Sequence, residues 1–168
     1  MLREAASEST AQGADMELDL AWEFVADTVM GGVSQGSVTA ADGNAARLMG
    51  AVSLENNGGF VQMAANLNRQ GGLVDASKFL GVTFRMRGNG ERYDIRLRTD
   101  ALMRPWESFR TEVVAPTDWQ TVKIPFSDFQ PHRTAATFNP ARLRRVGVLA
   151  IGRAFEADVS IAGFGFYR

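Results

Sequence analysis

The stretch from Val82 to Arg98 limits the fold of this chain more than any other. Val82, Phe84 and Met86 alternate with Thr83, Arg85 and Arg87. Tyr93, Ile95 and Leu97 then alternate with Arg92, Asp94, Arg96 and Arg98. A period of two marks half-buried strands. Between the runs lies Asn89-Gly90, a strong signal for a two-residue hairpin. Pairing around it puts Met86 opposite Tyr93 and Phe84 opposite Ile95, so both strands agree on the core face. The same register sets Arg87 opposite Arg92, Arg85 opposite Asp94 and Thr83 opposite Arg96, with Arg98 extending the row. Like charges directly opposite cost roughly 0.2–1 kcal/mol, and within the hairpin only Asp94 offsets them. The row therefore reads either as a solvated arginine face neutralised by neighbouring strands or as a docking surface for an acidic segment or phosphate. Arginine suits the second role because its fork binds carboxylates through two bonds.

The same alternation recurs along the chain. Leu18, Leu20, Trp22 and Phe24 share one face of a strand. Ser37 to Thr39 is a short strand at most, and Arg47 to Leu54, Phe60 to Ala65, Phe109 to Val113 and Val122 to Phe126 continue the series. Val146 to Ile151 is almost wholly apolar, the mark of a strand covered on both faces. Val159 to Phe166 closes the sheet. Many short strands divided by Gly/Asn turns, with no convincing helix, predict an all-β jelly-roll sandwich of the galactose-binding type. The expected division is a flexible tail over 1–15 and a single domain over 16–168, a length that supports one core.

The octet Asp27-Thr28-Val29-Met30-Gly31-Gly32-Val33-Ser34 follows the first strand. Gly31 and Gly32 allow positive φ or close backbone approach, and Asp27 and Ser34 are residues that bond nearby amides in turns. We expect the glycines to be structural and Ser34 not to be. A structural turn is favoured over a ligand or partner loop, and no lysine or helix pattern follows to make a phosphate cradle. Trp106, after Arg104-Pro105, falls on the polar phase of its strand. It is either a stacking platform for a sugar or partner side chain or a Trp packed under a loop.

This octet, followed in order by Glu55-Asn56-Asn57-Gly58-Gly59-Phe60, Gly88-Asn89-Gly90-Glu91-Arg92-Tyr93, Leu97-Arg98-Thr99-Asp100, and Trp119 with Ile124-Pro125-Phe126 and Asp128-Phe129, resembles the complex I intermediate-associated protein family. That family comprises the thirty-kilodalton assembly factor of respiratory complex I and its bacterial relatives. The resemblance runs from about Trp22 to Phe166. It implies a jelly roll without established catalytic residues and a role in assembling a membrane enzyme, with protein partners such as complex subunits or assembly intermediates. The chain departs from the family at His132-Arg133-Thr134 and in the short segment after Ile151-Gly152. The candidate binding residues are Asp27, Gly31, Gly32, Ser34, Asn57, Arg85, Arg87, Arg92, Asp94, Arg96, Arg98 and Trp106. A carbohydrate-binding module on the same scaffold is the alternative.

Composition narrows the function. The net charge is −1, which predicts no nucleic-acid partner. There is no cysteine, so no disulfide scaffold or thiolate metal site forms. No apolar run reaches the ~20 residues of a membrane span, and residues 1–14 lack the apolar stretch of a signal peptide. A cytoplasmic or matrix-like compartment is expected. His132, the single histidine, cannot build a usual zinc site. Neither a nucleophile elbow nor a carboxylate pair stands out, so we expect no catalysis and no cofactor, while a structural calcium ion stays open.

Overall fold

The structure, a computed structural model, describes residues 14–41 and 44–168. Two antiparallel sheets face each other across one core. The first holds β3 (Gln35–Ala41), β4 (Ala45–Val52), β12 (Phe155–Tyr167), β6 (Gly81–Gly88) and β9 (Gln120–Pro125) in that order, and β1 (Met16–Glu17) also pairs with β12. The second runs β10 (Gln130–His132), β8 (Ser108–Val114), β7 (Arg92–Thr99), β11 (Leu143–Ile151), β5 (Phe60–Asn66) and β2 (Glu23–Ala26). The helical segments among the described residues are single 3-10 turns, such as Asp27–Met30 and Glu55–Asn57. This is the all-β jelly roll expected from the alternation.

The hairpin expected at Asn89-Gly90 does not form. β6 pairs with β12 and β9, whereas β7 pairs with β11 and β8. The turn carries the chain from one sheet to the other. Its backbone is held by the segment after β8: Gly88 N–H donates to the Pro116 carbonyl at 2.6 Å and Gly90 N–H to the Ala115 carbonyl at 3.1 Å. Gly90 takes φ +78°, a left-handed value that favours glycine. Phe84, Met86, Tyr93 and Ile95 are all buried in the common core. Alternation thus identified the core face of each strand, but two strands that share a core need not share a ladder.

The arginine row dissolves with the hairpin. Arg85 and Arg87 lie on the outer face of the first sheet, their guanidinium carbons 5.4 and 6.0 Å from the Trp119 ring centroid. Arg92, Arg96 and Arg98 lie on the outer face of the second, where Arg92 meets Glu112 at 3.3 Å and Arg96 meets Asp94 at 2.7 Å. The like-charge pair expected between Arg87 and Arg92 is gone, and the register instead sets Arg96 opposite Arg110, bridged by Asp94, and Arg98 opposite Arg145.

Two further expectations change. The strand read over Glu17 to Phe24 is split, with β1 in the first sheet, β2 in the second, and Leu18, Leu20 and Trp22 crossing between them. The short strand at Ser37–Thr39 lengthens to the seven residues of β3, paired along β4. The expected tail lies largely outside the described residues. Asp15, however, already belongs to the sheet edge, donating its N–H to the Phe166 carbonyl at 2.9 Å.

Val146 to Ile151 is central in its sheet, as its apolar run suggested. Val146 and Val148 join the core, while Gly147 and Leu149 face outward into a cleft. Phe138, in the loop after β10, packs on Phe109 at 5.0 Å and on Phe126 at 5.6 Å.

Tyr93 ties the crossing turn to the body of the protein. Its buried hydroxyl donates to Asn89 Oδ1 at 2.7 Å and accepts from Asp158 N–H at 3.0 Å. Tyr93→Phe removes the acceptor of the Asp158 N–H, whereas Asn89 Oδ1 keeps the Glu91 N–H at 3.3 Å, and a buried group left unpaired costs about 1–3 kcal/mol. Urea denaturation should show a loss of that size; an unchanged midpoint would mean that the turn holds without it.

Candidate binding cleft

The Asp27 carboxylate is fully buried and accepts four hydrogen bonds. Oδ1 takes the Ser34 N–H at 3.0 Å; Oδ2 takes the Ser34 hydroxyl at 2.5 Å, the Gly59 N–H at 2.6 Å and the Phe60 N–H at 3.2 Å. Ser34 Oγ also accepts the Ser53 N–H at 2.8 Å. The octet and the Glu55–Phe60 motif are therefore one construction around one anion. The glycines make room for it: a Cβ on Gly32 would collide with the Asp27 side chain, and one on Gly58 would do the same. Gly31 is needed differently, taking φ +90° where the 3-10 turn ends. Ser34, expected to be dispensable, is 1% exposed and integral to the clamp. Gly32 matters through close approach rather than positive φ.

Burial pushes the Asp27 pKa up, but the hydrogen bonds from Ser34, Gly59 and Phe60 outweigh it and hold the group below the ordinary carboxylate value.

The clamp holds out one wall of a cleft of about 780 Å³ over the outer face of the second sheet. Val29, Met30 and Leu54 form that wall, and all three are exposed. The turn before β8 forms the other. Glu107 Oε1 accepts the N–H groups of Met103 and Arg104, each at 2.9 Å. Arg98 Nη1 donates to the Arg104 carbonyl at 3.1 Å, to that of Pro105 at 3.4 Å, and to that of Glu107. These bonds present Trp106, which sits in the turn rather than on a strand and is 49% exposed. Arg133 lies over its ring at 6.0 Å.

The floor is charged but largely self-compensated. Asp94 is 2% exposed and binds Arg96 at 2.7 Å and Arg110 at 2.8 Å. Burial raises its pKa, yet the hydrogen bonds from Arg110 and Arg96 prevail and lower it. Arg145 pairs with Glu23 at 2.6 Å. His132 is half-buried at the cleft edge. Burial lowers its pKa, and the charges of Arg96 and Arg110 lower it further. It makes no hydrogen bond to a carboxylate among the described residues, and no group of three His, Cys, Asp or Glu there is placed to hold a metal ion. Asp94 and Glu107 are engaged acceptors with depressed pKa, poor at taking up protons.

Of the residues singled out from sequence, Asn57, Arg96, Arg98 and Trp106 border this cleft. Asp27, Gly31, Gly32 and Ser34 shape its wall from behind, and Asp94 lies beneath its floor. Arg92 is farther along the same face with Glu112. Arg85 and Arg87 are on the opposite sheet, and Arg85 borders a separate groove beside Leu18 and Trp22. No sequence pattern marks Ser108, Gln62 and Leu149, which line the cleft through strand register, or Arg133, which joins them from just beyond β10.

The model of the complex I intermediate-associated protein 30 (CIA30) family matches residues 11–160. The chain belongs to that family. No curated protein matches it. Among solved structures, the family 11 carbohydrate-binding module from Clostridium thermocellum, in complex with a β-1,3-1,4-mixed-linked tetrasaccharide, is similar at TM-score 0.70 and 16% identity, over 90% of this chain and 94% of that one. The family 11 module of the cellulosomal cellulase Lic26A-Cel5E of the same organism aligns at TM-score 0.64 and 14% identity, over 98% of this chain and 96% of that one. A family 30 module of its cellulase Cel9D-Cel44B gives TM-score 0.62 and 18% identity, over 87% and 91%. At such identities the likeness is one of fold. No helix among the described residues of this CIA30 member is long and apolar enough to cross a membrane.

Two outcomes test the clamp. Ser34→Ala removes a donor to Asp27 and leaves the Ser53 N–H unpaired, which should cost about 1–3 kcal/mol; a melting temperature within a degree of the parent would refute the clamp. Asp27 also sets a pH dependence. Because its folded pKa lies below the unfolded value of ~3.9, its contribution is present above that value and lost as pH falls through the folded one. The acid limb of the stability profile should therefore flatten in Asp27→Asn, measured by urea titration from neutral pH downward.

Proposed function

We propose that this CIA30 protein is a non-enzymatic binding module that helps to assemble a larger complex by holding a segment of a protein partner in the cleft. The complex suggested by its family is respiratory complex I (NADH:ubiquinone oxidoreductase) or a bacterial relative, approached from a cytoplasmic or matrix-like compartment. One observation carries the choice of protein over sugar. The wall made by Val29, Met30 and Leu54 is aliphatic and exposed at 76%, 60% and 52%. Exposed apolar groups gathered beside a concavity mark interaction sites. Aliphatic side chains pack against other apolar side chains, whereas a sugar ring stacks best on flat aromatic faces.

A second reading keeps support from Trp106. Its exposed indole shares the cleft with Asn57 and Gln62, a stacking face beside amide hydrogen-bonding groups that would suit a small carbohydrate.

The double variant Val29→Asp with Met30→Asp separates the two. Both side chains are exposed, so folding should be unaffected. Affinity recovery from native extract, quantified by mass spectrometry, should lose the partner protein, and a glycan array should stay blank for the parent. Undiminished recovery would remove the cleft as the protein site, and glycan binding abolished by Trp106→Ala would favour the carbohydrate reading instead.

A further inference from the structure

One polar group on the cleft floor lacks a partner. Ser108 is 3% exposed, and its Oγ is the buried side-chain polar atom without a hydrogen bond among the described residues. Leaving a buried hydroxyl without a partner is destabilising, and native structures retain few such groups without a reason. Strand register sets its surroundings. His132 is its cross-strand partner on β10. The β7–β8 register, which puts Leu97 opposite Phe109, brings Arg98 beside it when continued by one residue. Arg98 in turn faces Arg145 on β11. His132, Ser108, Arg98 and Arg145 thus form a lateral row, and all of them border the cleft.

This row is rich in donors and poor in acceptors. Arg98 spends Nη1 on the carbonyls of the Trp106 turn, leaving Nε and Nη2 unused, and makes no ion pair among the described residues. Arg133 adds a cation at the edge. Among the described residues the single carboxylate that borders the cleft, Glu107, is engaged by two backbone N–H groups. A guanidinium fork beside a hydroxyl donor is matched by a planar anion with two acceptor oxygens.

We propose that Arg98, Ser108 and His132 form a carboxylate subsite that holds an Asp or Glu side chain of the partner segment, while neighbouring apolar side chains of that segment lie against Val29, Met30 and Leu54. This rests on the cleft being the partner site. Ser108 lines the cleft although it is only 3% exposed, so this subsite requires the side chains around it to give way when the carboxylate binds.

The test is phage selection of random heptapeptides on the full chain, followed by backbone amide shift mapping with the selected peptides. Selected sequences should carry Asp or Glu flanked by aliphatic residues, and the shifts should centre on Arg98, Ser108 and His132. Replacing the acid by its amide should weaken binding about tenfold or more, the scale of a charge-assisted hydrogen bond. Ser108→Ala should weaken it about fivefold, the scale of one neutral bond. The same variant should leave the melting temperature unchanged or raised, because it deletes an unpaired hydroxyl. Arg98→Gln also loosens the Trp106 turn, so Ser108→Ala is the cleaner variant. Neutral peptides that map to the cleft, or full affinity in Ser108→Ala, would overturn the subsite while leaving the cleft as the partner site. Peptides that map to another surface would overturn the cleft itself.

Discussion

One wall of the cleft depends on one buried anion. Asp27 receives donors from the end of its own loop and from the Gly59–Phe60 backbone. A carboxylate withdrawn from water is tolerable only when its oxygens are satisfied, so the surrounding loops are obliged to converge on it. That convergence explains two glycines, Gly32 and Gly58, by exclusion of a Cβ, and a third, Gly31, by its left-handed turn. It also holds Val29 and Met30 outward, against the ordinary tendency of such residues to be buried.

The arginines follow a related logic. Most on the second sheet are consumed by the structure: Arg96 and Arg110 by Asp94, Arg145 by Glu23, Arg92 by Glu112. Arg98, which borders the cleft, is engaged by carbonyls and by no carboxylate among the described residues. Carbonyl contacts position a guanidinium without neutralising it, so the cleft keeps a cation whose charge is still available to a ligand.

The octet and the Glu55–Phe60 motif were visible as motifs, but their meaning was not. Asp27 and Ser34 read as local turn formers, and Ser34 as expendable. The bonds that matter reach Gly59, Phe60 and Ser53, a separation along the chain that local turn rules do not address. Trp106, singled out from sequence, is exposed and borders the cleft, but the clamp that presents it, Arg98 and Glu107 on a single turn, follows from no periodicity. His132, set aside as a catalyst, returned as a neighbour of Ser108, because β10 is too short to be seen as a strand.

Sequence alone determined the fold class and, for nearly every strand, which side chains enter the core. Both follow from the period of two, which depends only on the pleat of each strand. Tertiary structure decided which strands pair. At Asn89-Gly90 the local signal favoured a hairpin, yet the bonds from Gly88 and Gly90 to Pro116 and Ala115 divert the chain into the other sheet. Two strands that bury the same face look alike whether they lie side by side or across a sandwich. The cleft inherits that dependence: His132, Ser108, Arg98 and Arg145 come together through ladders between distant segments, and ladder partners are set by packing of the whole sandwich rather than by the residues that meet.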